Sequence, residues 1–400
     1  MPHYRRAGEI PRKRHTQFRD GSGALYTEEL MSSNGFSEES SLLYHRFAPS
    51  AITAAWEVPA EPERLGANRP VMPRHFRLHD CKTGGDAVTG RQLLLANEDV
   101  RISYVAAAET SPLYRDATGD QVVYVETGAV RVETVFGVVE LEEGDYLVIP
   151  THTTHRFVVG PGDKGPGGPE PGAVRLLIIE AAGHVQAPAR YLSTRGQLKE
   201  GAPYSERDLF GPTEPLVAEP AGGSVESEVL VRTRSGITGY RYATHPFDVV
   251  GWDGCLYPWG LSIHDFEPIV GRVHQPPPVH QTFAGPNFVV CSFVPRPFDF
   301  DPAAVPIPYA HANVDSDEVL FYVGGDFMSR AGSGIGKGSV SLHPSGFVHG
   351  PQPGSVEAAL GQPATKELAV MVDTFNPLLL AQAAVDVEDD AYPWTWARKD

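Results

Sequence analysis

Cysteine is scarce in this 400-residue chain. Its three thiols, Cys81, Cys255 and Cys291, lie far apart and form no Cys-x-x-Cys pair. That argues against a disulfide framework or a thiolate zinc site and points to a reducing compartment. Long apolar runs are missing too. None approaches the ~20 residues of a membrane span, and no apolar leader core opens the N-terminus, so the cytoplasm is the expected location. Positive charge is short: 33 Lys and Arg stand against 50 Asp and Glu, for a net charge of −17. The densest basic run, Arg5-Arg6 to Arg12-Lys13-Arg14, is brief. Nucleic acid and anionic membranes are therefore not expected partners. No short-period repeat is visible.

Glycine and proline are plentiful, at 41 and 36 residues, which predicts many turns and an all-β chain. The length suggests two to three domains. Residues 1–58 are mixed and too short for a core of their own; they read as an arm packed on the body or on a neighbouring subunit, with His15 and His45 as ordinary surface or packing residues. Residues 59–200 read as one β-domain, with short strand-like runs at Gln121 to Val125, Ala129 to Val135 and Val138 to Leu141. Gly160 to Gly172 reads as a surface loop. Residues 201–235 read as a connector, and 236–400 as a second β-domain whose last strand is Lys366 to Asp373. A short helix is expected over Leu378 to Ala384, and Trp394 and Trp396 are expected to be packed.

The chemistry concentrates between Pro308 and Gly354. His311-x-Asn313, four residues, Glu318, six residues and Gly325 form one pattern. Gly338, five residues, Pro344-x-Gly346, two residues and His349 form another. These resemble the two motifs of a cupin, a small β-barrel with a metal in its mouth, except that Asn313 replaces the usual second histidine. Val319 to Val323 reads as a strand with Glu318 at its start, and Ser339 to His343 as a strand ending in the Pro344-Ser345-Gly346 turn. Two imidazoles and one carboxylate are the facial triad of non-haem Fe(II) oxygenases, which leaves positions open for substrate and O₂. Ordinary loop histidines are the alternative for His311 and His349, and Asp317 is the alternative to Glu318. Gly144, five residues, Pro150 and His155 repeat the second motif, with His152 in place of its second glycine. Near Glu126 no upstream histidine completes a site, so this half reads as a degenerate barrel. The expected fold is an all-β bicupin of two barrels (jelly rolls), the N-terminal one metal-free and the C-terminal one metal-binding.

His274 and His280 flank a loop stiffened by Pro276, Pro277 and Pro278, which suits a general base, although either residue reads equally as a solvated loop histidine. Arg296 is a candidate partner for a substrate carboxylate or a surface residue.

Gly23 to Leu30, Leu43-Tyr44-His45-Arg46, Pro49-Ser50, Pro308-Tyr309-Ala310-His311-Ala312-Asn313 and Leu342-His343 with His349-Gly350-Pro351 resemble the homogentisate 1,2-dioxygenase family, in a shorter form. The likeness spans most of the chain but is dense only in these patches. It implies Fe(2+) on His311, Glu318 and His349, an acid/base histidine at His274 in preference to His280, and a substrate pocket lined by Tyr309, Asn313, His343 and the ligand His349. It further implies ring cleavage of homogentisate, or of a gentisate-like or other hydroquinone acid, with O₂, in tyrosine and phenylalanine breakdown, and a homo-oligomer. Two features depart from the family: one extra residue between His311 and Glu318, and Phe327 where a substrate-binding tyrosine is expected. A metal-dependent cupin isomerase and a non-enzymatic binding bicupin are the readings of other classes.

Overall fold

The computed structural model describes residues 3–60, 63–82, 84–160, 173–218 and 226–397. Residues 161–172 of the expected loop and 219–225 of the expected connector lie outside them. Strands dominate, as the turn-rich composition predicts, and the fold is an all-β bicupin.

Two sheets close the first barrel. One has nine strands, in the order Leu209–Phe210, Trp259–Ser262, Asp145–Ile149, Gln121–Thr127, Val174–Ala181, Val100–Ala107, Gln92–Ala96, Leu379–Ala381 and Leu65–Ala67. The other has seven: Gly137–Leu141, Val130–Thr134, His155–Val158, Leu113–Asp116, Ser227–Thr233, Gly236–Tyr242 and Ile52–Val58. Successive side chains on a strand face opposite ways. Val123, Val125, Leu147, Ile149, Leu176 and Ile178 therefore meet Val132 and Phe157 inside the barrel. The alternate residues Val122, Tyr124, Tyr146 and Val148 join a second core that reaches into the other barrel. These strands are buried on both faces, which is why they read as unbroken apolar runs rather than alternating ones.

The second barrel is built on six strands, ordered Gln281–Gly285, Phe288–Phe293, Leu368–Thr374, Asp317–Gly324, Ser339–His343 and Arg74–Arg77. Val319, Phe321 and Val323 face the first barrel. Phe321 meets Tyr104 and Tyr124 with ring centroids 6.2 and 6.5 Å apart, and Tyr146 Oη lies 2.9 Å from Ser292 Oγ across the same seam. The opposite face of the strand, Leu320 and Tyr322, packs inside the second barrel with Cys291 and Met371. Each fully buried side chain of this kind contributes about 1.5–3 kcal/mol, so the seam is a core shared by both barrels.

Strands cross between the halves. Arg74–Arg77 falls between the first-barrel strands Leu65–Ala67 and Gln92–Ala96 in sequence yet pairs with Ser339–His343 of the second. Leu379–Ala381 follows the second barrel yet pairs with Leu65–Ala67 and Gln92–Ala96 of the first. The helix expected over Leu378 to Ala384 is thus a strand followed by one short helix, Gln382–Val385, because two flanking strands claim the backbone hydrogen bonds of 379–381. Residues 227–262, which the sequence reading divided between connector and second barrel, supply strands to the first barrel's sheets and to a four-stranded N-terminal sheet. That sheet runs Arg5–Gly8, Val249–Gly254, Ser40–His45 and Thr27–Ser32. It holds His45 between two carboxylates, Asp248 at 2.6 Å and Glu29 at 2.9 Å. Trp394, expected to be packed, is 62% exposed. Among the described residues no helix is long and apolar enough to cross a membrane.

Candidate metal centre

Three elements bring the ligand set together. Glu318 is the second residue of Asp317–Gly324 and shares the inward face with Leu320 and Tyr322. His311 and His349 face each other on a two-residue antiparallel ladder, His311–Ala312 with Val348–His349. That ladder needs Gly350: a Cβ there would sit 2.6 Å from Ala310 Cα, so any side chain would push the two histidines apart. The Gly350 carbonyl accepts hydrogen bonds from Arg330 Nη1 at 2.6 Å and Trp396 Nε1 at 3.1 Å, which fixes the backbone next to His349. The turn before His349 has Gly346 at φ +81°, and the matching position in the first barrel, His152, keeps φ +69°. Both halves thus retain the same left-handed turn, although in the first half it is no longer a glycine.

Ligand atoms of His311, Glu318 and His349 lie within 4.8 Å of one another. Glu318 Oε2 is 3.4 Å from His311 Nε2, and Oε1 is 3.4 Å from His349 Nε2. His343 Nδ1 is closer still to Oε1, at 2.8 Å. Burial alone would push the Glu318 carboxyl up, but hydrogen bonding to the surrounding imidazoles outweighs it and holds the group well below the usual range. His343 is pushed down to about 3, chiefly by burial, and is neutral. Its Nδ1–H therefore donates to the Glu318 carboxylate, and its Nε2 accepts from Tyr392 Oη at 2.8 Å. His349 Nε2 is buried without a hydrogen-bond partner, as is His311 Nδ1. Two nitrogens and an ionised oxygen at this spacing, one of the nitrogens an orphaned lone-pair site, fit a divalent transition metal.

Asp317, the alternative to Glu318, is spent elsewhere. Its two oxygens accept the backbone N–H groups of Ser345 at 2.9 Å and Leu378 at 2.8 Å, on the opposite side of the strand. Asp317→Asn turns one acceptor into a donor aimed at an N–H. It is expected to cost about 1–3 kcal/mol of stability while metal stoichiometry stays at the wild-type value, read by denaturant unfolding and elemental analysis of the same samples.

The other sequence candidates fall into two groups. His274 Nε2 lies 3.1 Å from Tyr309 Oη, and the Tyr309 ring stands edge-on to His311 with centroids 6.0 Å apart. Asn313 is half-buried beside the ladder with its Nδ2 unpartnered. His343 belongs to the same group but differs from its expected pocket-lining role: both ring nitrogens are engaged by Glu318 and Tyr392, and the residue is fully buried. His280 stands apart, stacked on Phe293 at 4.6 Å. Burial and the nearby Arg296 push it down to about 3, so it is neutral and a weak base. Phe327 packs against Tyr322 at 5.0 Å inside the barrel. In the first barrel, Glu126 accepts from Tyr104 Oη and lies 2.7 Å from His79 Nε2, while His155 is packed edge-on against Tyr114 and Phe157.

Sequence reasoning missed Tyr392, Arg330 and Asp373. Asp373 pairs in register with Glu318. Burial, followed by the Glu318 charge, pushes its carboxyl up to about 8, and Oδ1 has no partner. An acid at an inward position of an otherwise apolar strand is the signal that would have found it. Arg330 and Tyr392 act through backbone and side-chain contacts with no spacing signature.

No family model matches the chain. A Saccharolobus solfataricus protein provisionally named a dioxygenase is 40% identical over 99% of both chains. Homogentisate 1,2-dioxygenase of Nitrobacter hamburgensis is 25% identical over 78% of this chain and 68% of its own. Among solved structures, an oxalate decarboxylase aligns over 80% of each chain at 13% identity and a TM-score of 0.34. With similarity along its full length to the Saccharolobus protein, the chain belongs to that protein's dioxygenase family, to which the homogentisate 1,2-dioxygenases are more distant relatives.

Proposed function

We propose that this chain is an Fe(II)-dependent ring-cleaving dioxygenase acting on homogentisate or a closely related para-dihydroxylated aromatic acid. The reading rests above all on the convergence of His311, Glu318 and His349 at one end of the second barrel, with an ionised carboxylate and an unpartnered buried imidazole nitrogen. A ferrous ion held there would supply a Lewis-acidic, redox-active centre with positions open to a phenol and to O₂.

The protein's own part is positioning and proton control. His343 orients Glu318 from behind and is itself fixed by Tyr392. His274 Nε2 takes the phenolic proton in this reading, through Tyr309 Oη; the 3.1 Å contact between the two supports it. Losing that proton enriches the ring in electrons, which is what attack by O₂ requires. His280, neutral and stacked away from this group, is a wall rather than a base. Leu320, Cys291 and Met371 give the barrel interior below Glu318 an apolar lining.

The test is oxygen uptake by Fe(II)-loaded protein with homogentisate, gentisate and other hydroquinone acids. One of them is expected to consume O₂ in equal amount and yield a ring-opened acid, maleylacetoacetate in the case of homogentisate. Protein loaded with Zn²⁺ is expected to be inert. If none of these substrates draws oxygen, the proposal is wrong.

A further inference from the structure

We propose that Arg296 is the residue that selects for a carboxylate on the substrate, an assignment that rests on the reading of this barrel end as the active site. Arg296 follows Phe288–Phe293 and lines a pocket with His274, His280, Phe298 and Asp299. His274 is the residue that touches Tyr309 beside the ligand His311. The guanidinium thus shares a pocket with His274, the residue that reaches the ligand group through Tyr309.

The guanidinium is poorly satisfied. Of its five donors, one makes a hydrogen bond among the described residues, from Nη1 to the Val294 carbonyl at 3.1 Å. No carboxylate lies within ion-pair distance of it among the described residues. Its flat face lies 5.9 Å from the Phe293 ring centroid. Other arginines in the cores are treated differently. Arg330 is held by Tyr322 and Gly350, and Arg91 and Arg232 both reach Glu180. Glu367 and Asp299 feel the Arg296 charge only from beyond contact. A sheltered cation left with unused, fork-shaped donors facing a pocket is a receptor for a planar anion.

The chemistry of the rest of the pocket says which anion. Phe298 lines the pocket and Phe293 packs against the guanidinium, so an aromatic ring would meet apolar surface beside the cation. Phe327, where the family resemblance puts a tyrosine, is half-buried against Tyr322 and offers no hydroxyl. Arg296 is the cation of that pocket, so a hydroquinone carrying a short carboxylate arm would span from the metal ligands to Arg296.

The experiment uses full-length Fe(II)-loaded protein under anaerobic conditions, with homogentisate and methylhydroquinone, which lacks the carboxylate, as calorimetric probes. Arg296→Gln is expected to weaken homogentisate binding by about tenfold or more, the usual worth of a charge-assisted hydrogen bond. Methylhydroquinone binding is expected to stay within about twofold, since it offers that bond no acceptor. Arg296→Lys is expected to fall between wild type and Arg296→Gln, because it keeps the charge and loses the fork; it also serves if the glutamine variant misfolds. Equal weakening of both ligands, or no change in either, overturns the assignment. Wild-type protein that binds both ligands while Arg296→Gln shows no selective loss overturns this proposal alone. Wild-type protein that binds neither overturns it together with the reading on which it rests.

Discussion

Replacing His349 with alanine is expected to abolish metal retention and turnover together. The side chain is fully buried, and its Nε2 faces Glu318 with no other partner. Nothing nearby can substitute for it, because both nitrogens of His343, the nearest other imidazole, are already engaged. Losing an outer partner of a metal ligand costs about 10- to 100-fold in affinity or activity. His343→Phe, which removes such a partner, is expected to fall in that range, and His349→Ala well below it. Elemental analysis after dialysis, alongside initial rates at saturating iron, separates the two. A His349→Ala protein that still holds one equivalent of iron would place the metal elsewhere.

The second large effect lies far from that centre. His45 is 2% exposed, between Asp248 and Glu29. Burial alone would strip its charge; the hydrogen bonds to the two carboxylates outweigh this and push it up to about 9. A histidine whose folded-state pKa lies above its unfolded value stabilises the fold fully below the unfolded value, near 6.5. That contribution is lost as pH climbs through 9. The interval corresponds to about 3 kcal/mol. Wild-type protein is expected to lose roughly that much unfolding free energy between pH 6.5 and 9. His45→Gln strands one buried carboxylate, Asp248, and one half-buried, Glu29, and is expected to cost about 3 kcal/mol at pH 6.5. Its stability is expected to be nearly flat across the same window. Urea titrations of both proteins over that pH series measure each effect, and parallel pH profiles would rule out His45 as the source.

The clustering of the candidate metal ligands was legible because the spacing that sets it is local. Glu318 and Gly325, and Gly338, Pro344, Gly346 and His349, are held at fixed intervals by single strands and turns. A spacing rule therefore captures them without knowledge of the rest of the fold. The first barrel was legible for the same reason, through Gly144, Pro150 and His155. What failed to show was everything decided by distant partners. Leu379–Ala381 reads as helical by composition and is extended because Leu65–Ala67 and Gln92–Ala96 flank it. His343 looks like a pocket residue until Glu318 and Tyr392, the latter 49 positions away, occupy its ring. His45 reads as ordinary packing because Asp248 lies 203 positions along the chain. Glu318 and Asp317 could not be separated by spacing alone; the backbone amides of Ser345 and Leu378 separate them.

The crossed strands have a consequence for how this molecule is handled. A cut anywhere between residues 77 and 281 gives two pieces, and the C-terminal one lacks Arg74–Arg77, the edge that covers Ser339–His343. That edge would be left bare, with its row of amide and carbonyl groups open to pairing with other chains. Neither half can be expressed as a free-standing module, and denaturation should proceed as one concerted event rather than lobe by lobe.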